Sequence, residues 1–279
     1  MPELPEVETI RRLLEPSLVG KVITDIKIFE HKQFHGLSKK AIGTSIKKVE
    51  RKGKVIYLEL SNHLFLNFHL KMSGEILFSK NKDHAHLKSE LPRTNTNKLP
   101  NKHTRIIIEF SGKSAIFFND LRKFGWIKLS DKPEVPSGPD VMSREFTLSY
   151  LKKILKTANK PVKPFLLEQD KLSGIGNIYA NDSLWEAKIN PERKTKSLTE
   201  KEVGKLFKAI KKIITEAIKY KGSSAADEMY VMPDGEKGQY QKHFKVYHLH
   251  GKKCSRDNTV IKTIRQGGRG TFYCPKCQI

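Results

Sequence analysis

The stretch Ile46-Lys47-Lys48-Val49-Glu50-Arg51-Lys52-Gly53-Lys54-Val55-Ile56-Tyr57-Leu58-Glu59-Leu60 decides how the first half of this chain is read. Residues 46–50 and 55–60 are strand-like, and Arg51-Lys52-Gly53-Lys54 between them reads as a tight turn. Further strand-like runs lie outward from this hairpin at 21–29, 64–70, 75–78, 106–110, 115–118 and 124–129. Ser111-Gly112-Lys113 reads as the turn of a second hairpin. Upstream, a helical pattern begins at Pro5. Val7, Ile10, Leu13 and Leu14 share one face, Glu6 and Glu8 fall in the first turn, and Arg11 and Arg12 follow; Pro16 and Gly20 are expected to end it. A leading helix followed by about eight antiparallel-looking strands predicts a β-sandwich or barrel.

Beyond residue 130 the pattern changes. Residues 130–139 hold three prolines and read as an inter-domain linker. Residues 146–157, 162–172 and 178–187 look helical. Thr199-Glu200-Lys201-Glu202 is a capping box opening a long amphipathic helix that Gly222 stops. Two β-like segments, 240–247 and 271–277, are expected around the cysteines. Residues 80–103 are polar and aperiodic, and are expected to form a long, mobile, basic loop.

The chain has 279 residues and a formal net charge of +23, with 53 Lys and Arg against 30 Asp and Glu. An excess of that size points to a polyanionic partner, with nucleic acid, an anionic membrane or a ribosome as the candidates. There is no run of 18 apolar residues and no signal-peptide pattern, so the protein is expected to stay inside the cell. All three cysteines lie at or after position 254, too few and too local for a disulfide framework.

The cysteines instead read as a metal site. Cys274 and Cys277 form a C-x-x-C, with Cys254 twenty residues upstream. A four-cysteine zinc ribbon needs a fourth thiolate at 257, where this chain has Asp257. Carboxylate oxygen also binds zinc, so a site of three Cys and one Asp is chemically sound, with His248 or His250 as the alternative fourth ligand. Any such metal is structural. Gly174-Ile175-Gly176-Asn177 opens a helix and suits either a phosphate clamp or an ordinary glycine turn. At the other end, removal of Met1 would leave Pro2 with a free secondary amine. An α-amino group titrates near 7.7–8.0, well below lysine, and the start of a helix disfavours its protonated form. Such an amine condenses with an aldehyde carbon to an iminium ion, an electron sink, and Glu3 beside it can move protons.

The run Met1-Pro2-Glu3-Leu4-Pro5-Glu6-Val7-Glu8-Thr9 resembles the N-terminus of bacterial formamidopyrimidine-DNA glycosylases. The resemblance continues in order through Arg51-Lys52-Gly53-Lys54, His69-Leu70-Lys71-Met72-Ser73-Gly74, Asp120-Leu121-Arg122-Lys123-Phe124-Gly125, Gly174-Ile175-Gly176-Asn177-Ile178-Tyr179-Ala180 and Arg269-Gly270-Thr271-Phe272-Tyr273-Cys274. It implies an α+β protein: a β-sandwich with its leading helix over 2–130, a linker over 131–142, a helix–two-turn–helix domain over 143–239 and a zinc-ribbon-like hairpin over 240–279. A lesion-capping loop is implied at about 221–241. The implied activity is that of a monomeric, bifunctional glycosylase and lyase of the bacterial cytoplasm or nucleoid. It excises 8-oxoguanine and formamidopyrimidines from duplex DNA held in a basic cleft between the domains, through a Schiff base and β,δ-elimination, with no cofactor in the chemistry. By the same resemblance Pro2 is the nucleophile and Glu3 the proton shuttle, while Lys54 contacts the phosphate beside the lesion. Glu6, Lys163 and Arg269 support the site. Met72, Arg122 and Phe124 fill the gap left by the flipped base, and Lys163, Asn177 and Arg269 contact DNA. Leu4 favours the purine-lesion branch over the endonuclease VIII branch. The rivals are an oxidised-pyrimidine glycosylase of that second type and a catalytically silent binder of damaged DNA. Four departures from the family pattern stand out: Asp257 for cysteine, Lys123 for arginine, Leu249 for arginine, and a longer 80–103 segment.

Overall fold

The computed structural model describes residues 1–224 and 230–279. The chain forms two units, one of Met1–Val135 with Tyr220–Gln241, the other of Pro136–Lys219 with Lys242–Ile279.

The first unit opens with helix α1 (Leu4–Leu18). Pro5 sits in its first turn, where a missing N–H costs nothing. The helix runs through Pro16 and stops at Leu18, just before Gly20, with Leu14 and Leu18 buried, whereas Leu13, grouped with Leu14 from the sequence, is 38% exposed. Two antiparallel-rich sheets follow. The four-stranded one has the order β1 (Ile23–Ile28), β9 (Thr104–Phe110), β10 (Ala115–Asp120), β6 (Gly74–Ser79). The five-stranded one has the order β2 (Phe34–His35), β11 (Trp126–Ser130), β5 (Phe65–His69), β4 (Val55–Leu60), β3 (Ile46–Lys52). Every pairing is antiparallel except β11 with β2. One apolar core joins Ile106, Ile108, Ile116 and Phe118 of the first sheet to Ile56, Leu58, Leu66 and Phe68 of the second, with Val7, Ile10 and Leu14 of α1 against it. This is the expected β-sandwich.

The four-stranded sheet is apolar on its other face as well. Leu77, Ile107, Ala115 and Phe117 point there by the period of two, and Ala85, Leu87, Leu91 and Leu99 cover them. Residues 80–103 are therefore not a structureless loop. They contain the hairpin β7 (His86–Leu91) and β8 (Thr96–Lys98), whose leucines supply the cover. Residues 230–236 are fixed to the same unit, with Tyr230 and Met232 in the sandwich core and Val231 in the outer cluster. Lys88 adds a backbone hydrogen bond to Asp234 and ion pairs to Asp234 and Glu236. This anchoring is why 220–241, read from sequence as part of the helical domain, clusters with the sandwich.

The second unit holds α2 (Leu148–Lys156), α3 (Val162–Leu166), α4 (Asn177–Ala187) and α5 (Glu200–Lys219), then the hairpin β12 (Lys262–Gln266) and β13 (Arg269–Tyr273). Of the α5 stripe, Val203, Leu206, Ile210, Ile213, Ile214 and Ala217 are buried as the periodicity requires, and Phe207, expected with them, is half-buried. Residues 240–247, expected as a strand, contain a short 3-10 turn at Tyr240–His243 and no strand. Their backbone donors go elsewhere, those of Val246 and Tyr247 to the Asp182 carboxylate.

Candidate active site and metal centre

In the first unit the proposed chemistry sits at the start of α1. Pro2 is buried, Glu3 is 2% exposed and Glu6 is fully buried. Glu3 and Glu6 form a capping box, in which the Glu3 N–H donates to Glu6 Oε2 at 2.8 Å. The other oxygen, Glu6 Oε1, accepts the Ser223 N–H at 2.7 Å. A side chain at Gly222 would place its Cβ 2.7 Å from that same oxygen, and Gly222 also has φ +75°, so both space and conformation require glycine. The expected capping loop therefore begins against the first turn of α1, where the candidate nucleophile Pro2 lies. Its residues 225–229 lie outside the described residues.

Lys54 leaves the turn of the β3–β4 hairpin and is 5% exposed. The turn is tied to α1 by Arg51, whose Nε donates to Glu8 Oε2 at 3.0 Å while Nη1 donates to Gly53 O at 3.0 Å. Glu8 also accepts from Arg11 and Arg12. Burial by itself would raise the Glu8 pKa, but the three guanidinium groups outweigh it and hold the carboxyl at about 2. Sequence reading placed Glu8, Arg11 and Arg51 in this region without seeing that they join the helix to the hairpin.

The three gap-filling candidates share one edge of the sandwich. Met72 is 43% and Phe124 55% exposed, large apolar groups held in solvent. Arg122 lies over the Phe124 ring at 5.0 Å. Buried Asp120 builds this edge. Its Oδ1 accepts from Ser73 Oγ at 2.5 Å and the Arg122 N–H at 3.1 Å; its Oδ2 accepts from Gly125 N–H at 2.7 Å and Gln33 Nε2 at 2.8 Å. Ser73 in turn accepts the Arg122 N–H at 3.0 Å, which joins the Met72 loop to the Arg122–Phe124 loop. Lys123 adopts φ +57° and pairs with Glu30 at 2.6 Å. His69 stands at the head of the Met72 loop and accepts the Lys71 N–H on Nδ1 at 3.0 Å. Burial, then the positive charges of Lys71 and Lys54, pushes its pKa down to about 3, so it is neutral. Sequence reading missed Asp120, Ser73, Gln33 and His69 as supports. An aspartate just ahead of an exposed turn is the signal that could have found the first of them.

In the second unit, Gly174 has φ +104° and Asn177 is the first residue of α4. Asn177 Oδ1 is buried without a hydrogen-bond partner among the described residues. Lys163 is fully buried, and its ammonium donates to Gly270 O at 2.8 Å and Thr271 Oγ1 at 2.7 Å. It thus grips the strand that begins at Arg269, which is itself exposed beyond the Gly267-Gly268 turn.

Cys254, Asp257, Cys274 and Cys277 converge with their ligand atoms all within 4.8 Å of one another. Cys254 and Cys277 sulfurs are 3.9 Å apart, and Cys274 Sγ is 3.4 Å from each Asp257 oxygen. Tetrahedral zinc with thiolates at about 2.3 Å and a carboxylate oxygen near 2.1 Å needs edges of about 3.8 and 3.6 Å, so the four residues fit the ion. His248 and His250, the alternative fourth ligands, are not in this group; His248 instead stacks on Tyr247 at 4.4 Å.

Three family models match successive parts of the chain: the formamidopyrimidine-DNA glycosylase N-terminal domain over residues 1–127, the H2TH domain of the same enzymes over 137–228, and a zinc finger found in FPG and IleRS over 251–279. The chain belongs to the formamidopyrimidine-DNA glycosylase family. It is 38% identical over 283 residues to the formamidopyrimidine-DNA glycosylase of Carboxydothermus hydrogenoformans, covering all of both chains. Among solved structures it is similar to the MutM (Fpg) protein of Thermus thermophilus, with a TM-score of 0.86 and 32% identity, covering 99% of this chain and 98% of that one. It is also similar to a Lactococcus lactis FPG mutant solved with a Fapy-dG-containing DNA, with a TM-score of 0.84, 32% identity and 99% of each chain covered. The C-terminal module is accordingly a zinc finger, and its metal is structural. No helix among the described residues is long and apolar enough to cross a membrane.

Proposed function

We propose that this protein excises oxidised purines, 8-oxoguanine and ring-opened formamidopyrimidines, from duplex DNA and then cuts the strand, with the Pro2 amine as nucleophile once Met1 is removed. The observation that carries this reading is the buried pair Pro2–Glu3 at the head of α1, backed by Glu6 and tied through Glu8 and Arg51 to the hairpin bearing Lys54, in a chain of this family.

The groups divide the work as follows. Pro2 nitrogen attacks C1′ of the damaged nucleotide, and the bond from C1′ to the base breaks with the electron pair leaving on the base. The proton that the Pro2 nitrogen sheds on forming this bond passes by way of Glu3 to the sugar ring oxygen as the ring opens, giving an iminium ion on Pro2. That cation accepts the electrons released when the C2′ proton is removed, so the 3′-phosphate leaves. A second elimination releases the 5′-phosphate. Lys54 binds the phosphate beside the lesion, and Asn177 and Arg269 bind the strand. Met72, Arg122 and Phe124 occupy the stack that the flipped base vacates, offsetting an unstacking cost of a few kcal/mol. Lys163 acts by holding the Arg269 strand. Zinc takes no part in the chemistry. The surplus of positive charge serves the phosphate backbone, and the enzyme acts as a monomer within the cell.

A Lactococcus lactis FPG was solved with an oxidized pyrimidine-containing DNA, so a pyrimidine-lesion activity is the second reading. Excision from 8-oxoguanine:C and thymine-glycol:A duplexes separates the two. Faster cutting of the first, abolished in Pro2→Gly, supports the proposal. Faster cutting of the second moves the enzyme to the pyrimidine class. Binding of both without cleavage makes it a silent binder.

A further inference from the structure

Helix α4 forms the inner wall of the zinc cluster, and one of its side chains is aimed at a ligand atom. Trp185 is 5% exposed, and its indole N–H donates to Cys254 Sγ at 3.4 Å. On the outer side of the ring, the Arg256 guanidinium lies 3.6 Å from its centroid. Arg256 is fixed there because Nη1 donates to Trp185 O at 2.5 Å and Nη2 to Glu186 O at 3.2 Å. Trp185, Cys254 and Cys274 belong to one apolar cluster with Val246 and Ile261, so water is kept from this side of the sulfur. The neighbouring α4 residues grip the same module. Asn181 Oδ1 accepts the Phe272 N–H at 2.8 Å, and Asp182 Oδ1 accepts from Val246 and Tyr247. Asn181 also donates to the backbone oxygen of Asn177 at 2.6 Å, at the start of the helix.

We propose that Trp185 is the hydrogen-bond donor that stabilises the zinc-bound Cys254 thiolate, and that through it the metal centre and helix α4 hold each other in place. The proposal rests on the zinc reading of the cluster. A thiolate bound to zinc keeps lone pairs and much of its negative charge. In a dry pocket a fixed N–H is what can take up part of that charge. A cation over the ring face draws electron density from the indole and strengthens its N–H as a donor. The arrangement matters in this chain because Asp257 leaves only three thiolates to hold the metal, and carboxylate is the harder ligand for zinc.

The test uses the intact protein. Trp185→Phe keeps an aromatic ring and removes the N–H. Zinc release from wild type and W185F to a chromophoric chelator is timed, with far-ultraviolet circular dichroism as the check on folding. W185F is expected to release zinc about 10-fold faster, in line with the loss of a partner to a metal ligand. In protein produced with cobalt, the thiolate-to-cobalt charge-transfer band of W185F is expected at longer wavelength than in wild type. A sulfur without its donor gives up electron density more easily, and a merely structural role would not move that band. A third measurement needs no change at Trp185. The chain has two tryptophans, so Trp126→Phe leaves Trp185 as the sole tryptophan emitter, and cobalt loading should quench it strongly. Equal zinc release and an unmoved band in folded W185F overturn the proposal, as does unquenched Trp185 emission in the cobalt protein. Wild-type protein that takes up neither zinc nor cobalt overturns the metal centre itself.

Discussion

Replacing Glu8 by glutamine removes the anion that joins helix α1 to the hairpin carrying Lys54. The carboxylate accepts from Arg11, Arg12 and Arg51, and the Arg51 side chain is only 7% exposed. A drop in pKa from 4.5 to about 2 corresponds to about 3 kcal/mol of preference for the charged form, at about 1.4 kcal/mol for each tenfold in proton affinity. Arg12 is 58% exposed and its share is screened by solvent, which leaves about 2 kcal/mol. For a unit of this size that lowers the melting temperature by about 4–8 °C. The sign of the pH dependence follows from a depressed pKa. The Glu8 contribution is complete above pH 4.5 and is lost as pH falls toward 2, so wild type and E8Q should converge over that interval. Calorimetry of the two proteins between about pH 2 and pH 7 checks this. Glu15→Gln is the control, because Glu15 pairs with Arg11 but is 49% exposed, and its loss should change stability by about 0.5 kcal/mol or less. E8Q should also react more slowly with abasic-site DNA, since the Lys54 turn loses its tie. If E8Q melts with wild type at neutral pH, or if the gap between them ignores pH, the helix–hairpin clamp is refuted.

Glu75 should behave in the opposite sense. Burial, with the Asp120 carboxylate adding to it against Arg93 and Asn119, raises its pKa to about 7, so its ionisation weakens the fold as pH rises from 4.5 to 7. Glu75→Gln should match wild type at about pH 4 in denaturant titrations and exceed it by about 3 kcal/mol at about pH 8; equal stability at the higher pH would count against the assignment. Asp120→Asn leaves one carbonyl oxygen where two carboxylate oxygens collected donors from Gln33, Ser73, Arg122 and Gly125. Excision of 8-oxoguanine should fall about 10- to 100-fold while lyase activity on a pre-formed abasic site falls less, and an equal loss on both substrates would argue against a wedge-positioning role.

What the sequence made legible was local. The α1 helix, the turn before Val55 and the α5 stripe each follow from periodicity and turn chemistry within one segment, although Leu13 is exposed and Arg51 and Lys52 extend β3, which narrows the turn to Gly53-Lys54. The hairpin of 86–98 escaped because Leu87, Leu91 and Leu99 look sparse until the second apolar face of Ile107, Ala115 and Phe117 is seen beneath them. The uninterrupted apolar run Ile106-Ile107-Ile108 was the available clue that both faces of its strand are covered. Residues 240–247 misled for the converse reason. They are apolar enough for a strand, yet Asp182, far away along the chain, takes the backbone donors a strand partner would need. The candidate site divides in the same way. Pro2, Glu3, Lys54 and the cysteines were visible through motifs. Ser73 and Trp185 meet partners distant in sequence, which no spacing rule encodes, and His69 is set apart by burial that its local sequence does not announce.

Borohydride reduction during reaction with an 8-oxoguanine:C duplex, followed by mass spectrometry of the N-terminal peptide, tests the covalent route at its decisive atom. A reduced sugar attached to the Pro2 nitrogen, in protein lacking Met1, is the expected product. A duplex nicked with equal speed by protein that retains Met1, or an adduct mapped to Lys54 or another lysine, would contradict it.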